Sequence, residues 1–274
     1  SEGKGVEKDL GLAMKWFRAA ALSGNFIAQF NLGFKYYFGD GVEEDITQAI
    51  KWLTLSSDQE YDNAQVLLGD CYFVGNGVEK DYTKAAELYA KAARQDNDHA
   101  QVRLARCYLE GTGVEKDVDE CLRLLETAAN NNSTENMFEL ADLYLELAVM
   151  YSRGVQVESN QEKAYKYTEK AAEFGNGSAL FILALMYRDG RGCEKDMKKY
   201  FKYLSDAACC GYPGALYRLG VIYKDGDEKL NKKPSRYSAE FHFQQAIEQG
   251  HTGAMVDLGI CYSKNGCLSQ DDTK

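Results

Sequence analysis

Proline is almost missing from this chain, with two residues in 274. Proline breaks helix interiors, so its scarcity leaves long helices open, and the 25 glycines, recurring at regular places, supply the turns instead. Basic blocks are missing too. Lys and Arg number 32 against 42 Asp and Glu, a formal net charge of −10. No cation cluster stands ready to neutralise phosphates, so nucleic acid is not an expected partner. The same sign argues against an anionic membrane surface, and no apolar run approaches the roughly 20 residues that span a bilayer, so no direct membrane insertion is expected. The eight cysteines contain no C-x-x-C pair, which reads as free thiols in a reducing intracellular compartment. The start at Ser1 reads as a cut, so an export signal removed with it, and a secreted or lumenal home, stay open. Sequons at Asn131, Asn132 and Asn176 matter only in a secretory lumen.

What the chain does have is apolar material, 45% of residues against 27% charged, and a period. Tyr36, Tyr72, Tyr108, Tyr151, Tyr187, Tyr223 and Tyr262 are spaced by 36, 36, 43, 36, 36 and 39 residues. Four residues before each stands a leucine: Leu32, Leu68, Leu104, Leu147, Leu183, Leu219 and Leu258. Gly or Ala follows each leucine directly, and four residues before it comes Ala in six copies and Leu143 in the other. Positions four apart share one helical stripe, and a small residue beside the stripe lets a second helix approach closely. This is helix A of a repeating unit. Three residues after the tyrosine, Gly39, Gly75, Gly111, Gly154, Gly190 and Gly226 mark the helix stop, with Asn265 taking that place in the last copy.

Helix B then begins at an N-cap residue: Asp9, Asp45, Asp81, Asp117, Asn160, Asp196 or Ser235. Asp45 with Gln48, and Asp117 with Glu120, have the spacing of a capping box. A small residue such as Ala49 or Ala85 follows, then a bulky one: Trp16, Trp52, Leu88, Leu124, Tyr167, Tyr203 or His242. The expected architecture is therefore all-α, a solenoid of stacked helical hairpins over residues 1–266, with six full repeats, half-repeats at both ends and a polar tail at 267–274. Half-repeats at the ends suggest a piece of a longer protein. The seven extra residues of the 43-residue spacing are two helical turns, expected to lengthen helix A over about 135–152. The three extra of the 39-residue spacing fall in the loop at Lys232-Lys233-Pro234.

The pattern Ala-x-x-x-Leu-Gly-x-x-Tyr-x-x-Gly-x-Gly-Val-x-x-Asp-x-x-x-Ala, carried by Ala64, Leu68, Gly69, Tyr72, Gly75, Gly77, Val78, Asp81 and Ala85, resembles the Sel-one-like repeat, a relative of the tetratricopeptide repeat. The likeness runs over nearly the whole chain, with departures at Leu143, Val155, Cys193 and the loop after Gly226. It implies a right-handed α/α superhelix that serves as an adaptor. Relatives act in bacterial host-interaction and envelope proteins and in degradation at the endoplasmic reticulum. One cysteine-rich branch carries a disulfide in each repeat and a reported β-lactam-related, hydrolase-like activity; the cysteines here do not follow its pattern.

A partner site follows from the helical wheel. Positions −5, −2, +2 and +5 from the leucine fall opposite the core stripe, between about 140° and 220°, on the face that lines the concave groove of such arrays. Because the −2 position is apolar in every copy, it is expected to pack between repeats. The variable positions give a candidate peptide groove: Ile27, Phe34, Tyr37, Phe38, Asp70, Phe73, Arg106, Leu109, Arg188 and Lys224. The N-terminal half would be aromatic and apolar, the C-terminal half polar and partly basic, which suits an extended or helical peptide. Two readings of the N-terminal aromatics stand level: a groove, or a surface covered by a preceding repeat. Asp70 and Arg106, one repeat apart, read as a pair or as two solvated charges.

No catalytic, metal or cofactor site is expected. Cys71, Cys107 and Cys261 stand one residue before the seam tyrosines as small core residues. Cys209-Cys210 lacks further ligands, and the Gly-x-Gly that recurs at each hairpin is a loop device. His242 holds a packing position. A purely structural spacer is the remaining alternative to a scaffold for peptides or proteins.

Overall fold

The computed structural model describes residues 10–131 and 136–263. The expected caps at Asp9 and Asn265, the sequon at Asn132 and the tail at 267–274 lie outside the described residues. Fourteen helices and no strand occur among those described, and the helices divide into two compact units, Ser1–Asn136 and Met137–Lys274. In the first unit a lone helix B, α1 (Leu10–Leu22), precedes three A–B hairpins: α2 (Phe26–Phe38) with α3 (Ile46–Ser57), α4 (Asp62–Val74) with α5 (Tyr82–Ala93), and α6 (Asp98–Glu110) with α7 (Val118–Asn130). In the second, α8 (Met137–Arg153) pairs with α9 (Gln161–Glu173), α10 (Gly177–Asp189) with α11 (Met197–Cys209), and α12 (Pro213–Asp225) with α13 (Arg236–Glu248); a lone helix A, α14 (Thr252–Ser263), follows.

The recurring stripe is the seam of each hairpin. All seven leucines are buried, as are the alanines four residues before them and Leu143 in α8. The tyrosines are buried or half-buried in six copies; Tyr262 in α14 is exposed. The small residue after the leucine is needed for close approach. A Cβ on Gly69 would stand 2.7 Å from the Tyr89 ring, and one on Gly220 2.6 Å from Phe243. In α14, which has no following helix B among the described residues, a Cβ on Gly259 meets nothing within 4 Å.

Most hairpins close in the same way, while Gly226 after α12 pairs its positive φ of 77° with an extended ψ of 164°. Gly75 at the end of α4 takes up φ 84°, a left-handed conformation that only glycine reaches without strain, and its N–H donates to Cys71 O. The N-cap aspartate of helix B then donates its backbone N–H to the seam tyrosine carbonyl, as Asp81 does to Tyr72 at 3.0 Å, while its carboxylate accepts from Lys84 N. Asp45, Asp117, Asn160, Asp196 and Ser235 repeat this double role. Hence the capping boxes are only half made: the N–H that Gln48 or Glu120 would have accepted is already spent on Tyr36 or Tyr108. Glu120 binds Arg123 instead, which holds its carboxyl below the usual carboxylate range.

Two interactions escaped the sequence reading. Gln59 donates to the buried Gln29 at 2.7 Å, and Gln95 to the buried Gln65 at 3.0 Å, tying the end of helix B to the start of helix A. Lys84, Lys163 and Lys199 lie 4.2, 4.9 and 4.9 Å from the ring centroids of Tyr72, Tyr151 and Tyr187. Two expectations need correction. Helix α8 has 17 residues where most others have 13, so only about one of the two added turns enters the helix and the rest precedes Met137. Trp16 is 64% exposed where its equivalent Trp52 is 7% exposed, because no helix A precedes α1 among the described residues.

Candidate functional site

The positions of the helix-A face differ in what they touch. At −2 the side chains do bridge consecutive hairpins. Phe30 packs edge-on against Tyr61 at 5.2 Å, Phe181 lies tilted against Tyr212 at 5.0 Å, and Tyr217 stacks on His251 at 4.5 Å; each partner sits just ahead of the next helix A. Val102 is wholly buried, whereas Val256 in α14 is 62% exposed.

On α2 the structure brings four of the expected residues together. Ile27 (47% exposed), Phe34 (40%) and Phe38 (56%) are open to solvent, and Tyr37 is half-buried against the core at Leu53 and Leu68. Phe34 lies 4.5 Å from Phe38 and 5.9 Å from Phe30, and Tyr37 lies 4.8 Å from Phe38. Phe26, 5.3 Å from Tyr61, extends the strip. Sequence reasoning missed Phe26 and Tyr61. The signal was present in Phe26, Phe30, Phe34 and Phe38, four residues apart and thus on one side of a helix.

The remaining expected residues do not join them as one surface. Phe73 is half-buried, edge-on to Tyr82 at 5.1 Å. Leu109 is 3% exposed and offers nothing to a ligand: at about 140° from the leucine, the +5 position of a mid-array helix is still in reach of its neighbours. Asp70 and Arg106 do not pair. Asp70 accepts from Tyr89 at 2.7 Å and meets Arg103 at 3.3 Å, while Arg106 faces Glu110 at 3.6 Å. Arg188 donates to both oxygens of Asp189, at 2.7 and 3.1 Å, and Lys224 lies 3.5 Å from Asp257 and 3.8 Å from Asp225.

The second unit has a separate feature of its own. A cleft of about 690 Å³ opens between α10 and α12, lined among others by Phe181, Arg188, Tyr200, Tyr217, Arg218 and His251. Of these, only Arg188 had been expected at a site. Arg218 stands at −1 from its leucine, outside the four positions sampled on the wheel.

The thiols are set for packing. Cys71, Cys107, Cys121 and Cys261 are buried. Burial, with Asp70 beside it, pushes the Cys71 thiol up to about 12, and burial pushes Cys107 up to about 11, so neither is poised as a thiolate near neutral pH. Among the described residues no group of His, Cys, Asp or Glu could hold a metal ion, and no helix is long and apolar enough to cross a membrane.

The Sel1 repeat profile matches residues 1–25, 27–61, 62–97, 98–133, 137–176, 177–212 and 213–251. The chain belongs to the Sel1 repeat family. Members of this family are generally protein-interaction scaffolds, and their solenoids are typically non-catalytic. Among solved structures, the chain is similar to c5321, a protective antigen of uropathogenic Escherichia coli strains displaying an SLR fold, with 30% identity over 97% of this chain and a TM-score of 0.82. A Sel1 repeat protein from Oxalobacter formigenes is 26% identical over 93% of this chain, with a TM-score of 0.72. The chain spans 55% of the length of the first and 72% of the second. Among curated proteins no sequence matches.

Proposed function

We propose that this Sel1 repeat chain is a non-enzymatic scaffold that holds a peptide segment of a protein partner along its helix-A face, the face that is concave in repeat arrays. The observation that supports this is the strip on α2. Phe34 and Phe38 are in ring contact with each other, so their orientation is fixed before a ligand arrives, yet both remain open to solvent. Pre-oriented exposed aromatics lose little entropy on binding and bury much apolar area, the usual properties of interface anchors.

The test uses Phe34→Ala with Phe38→Ala. Tyr37 is left intact because it packs into the core, so removing it would confound binding with folding. Peptides are selected from a displayed library on the intact protein and then titrated against the double variant. Their affinity is expected to fall by at least about tenfold, the loss of a hot spot worth about 2 kcal/mol, while the thermal midpoint shifts by only a few degrees. Unchanged affinity would remove the strip from the proposed groove.

A further inference from the structure

The cleft of the second unit differs from the α2 strip in its chemistry. Its lining includes the rings of Phe181 and Tyr217 and the buried Tyr200. The charges at its lining are Arg188, Arg218 and Asp227. Their orientation matters more than their number. The Asp227 carboxylate accepts from Leu230 N at 3.1 Å and so serves its own loop. The Arg218 guanidinium lies 6.0 Å from the centroid of the Phe181 ring, and Arg188 is fixed by its two bonds to Asp189. The Arg188 fork is thus already engaged by a carboxylate, whereas Arg218, beside the Phe181 ring, pairs with no carboxylate among the described residues. The cleft is also kept open by what α12 lacks. Its −5 residue is Gly214, and a Cβ there would already stand 3.4 Å from the Phe181 ring, where α2 carries Ile27 and α6 carries His99.

We infer that this cleft binds an acidic peptide segment, an Asp or Glu carboxylate meeting Arg218 while the apolar or aromatic residue beside it packs against Phe181 and Tyr217. A guanidinium held by a ring keeps its donors in a planar fork that matches a carboxylate, and in a cleft shielded from water such charge-assisted bonds are stronger than on an open surface. The apolar walls supply burial for the adjacent side chain. This inference rests on the scaffold reading and names the ligand chemistry of a second site.

The experiment titrates the full 274-residue chain with fluorescent peptides of about twelve residues. One alternates Glu and Trp within a Ser/Gly background, a second replaces every Glu by Gln, and a third replaces it by Lys. The Glu peptide is expected to bind at least about tenfold tighter than the Gln peptide, the effect of one charge-assisted contact. Arg218→Gln should erase that preference, Arg218→Lys should keep part of it, and Arg218→Glu should favour the Lys peptide; the circular dichroism of each variant reports its fold. Phe34→Ala with Phe38→Ala should leave the Glu-over-Gln ratio unchanged. Equal binding of the Glu and Gln peptides, binding of neither, or a ratio indifferent to all three Arg218 variants would overturn the inference. Loss of library-selected peptides from the α2 double variant would still support the scaffold reading, so the two failures are distinct.

Discussion

At the scale of single residues, the account turns on how closely two helices approach. Gly69 and Gly220 face the rings of Tyr89 and Phe243 at distances no real Cβ would keep, whereas Gly259, at the same place in its own repeat, faces nothing. The same amino acid therefore has opposite expected responses. Gly69→Val should destabilise the protein by about 1–3 kcal/mol, the usual cost of overpacking. Gly259→Ala should be neutral, or stabilising by up to about 1 kcal/mol through helix propensity. Urea unfolding of the two variants checks both, and equal losses would show that the seam is looser than the geometry indicates. The seam itself was legible in the sequence because leucine, its small neighbour and tyrosine recur at fixed spacing. The partners of Asp70 and Arg106 were not, because which of several nearby charges a flexible side chain meets depends on rotamers that spacing does not encode.

At the scale of the helix, the hairpin works as a closed unit. One aspartate satisfies two needs, accepting at the start of helix B and donating to the end of helix A. Asp81→Ala should cost about 1 kcal/mol through the lost cap, while Asp81→Asn, which keeps the acceptor, should cost much less; the difference between their urea midpoints measures the cap alone. Asn176 shows a related constraint. Its Oδ1 accepts from Ala179 N and its Nδ2 donates to Asp142, so a glycan attached to Nδ2 at that sequon would compete with the bond to Asp142 and leave the cap acceptor in place. Helix order, caps and stops could be read in advance because they follow from short-range rules. The split of the added residues around α8 could not, since a loop and a helix accommodate extra residues with little difference in local signal. The candidate site was legible only in part. Aromatic positions on α2 followed from the wheel, but the burial of Leu109 and the cleft around Arg218 depend on neighbouring hairpins.

At the scale of the whole molecule, half-buried and buried tyrosines tie stability to pH. Burial raises Tyr89, Tyr165, Tyr200 and Tyr203 above their ordinary value of 10.0. A group whose folded pKa lies above its unfolded one holds its proton better when folded. Its stabilising contribution is complete below pH 10 and disappears as the pH rises through the folded value. Titration to alkaline pH should therefore show helicity falling together with a steep rise in tyrosinate absorbance above about pH 10. Full tyrosinate formation with the helices intact would contradict the packing described.

The central claim is that the helix-A face, beginning with the α2 strip, is where a partner lies. The most direct measurement places a photo-crosslinking phenylalanine analogue at Phe34 in one variant and at Lys51, an exposed helix-B position on α3, in another, and irradiates each with a library-selected peptide. The account predicts a covalent adduct from position 34 and little or none from position 51. An adduct from position 51 alone would place the partner on the other side of the hairpins and contradict it.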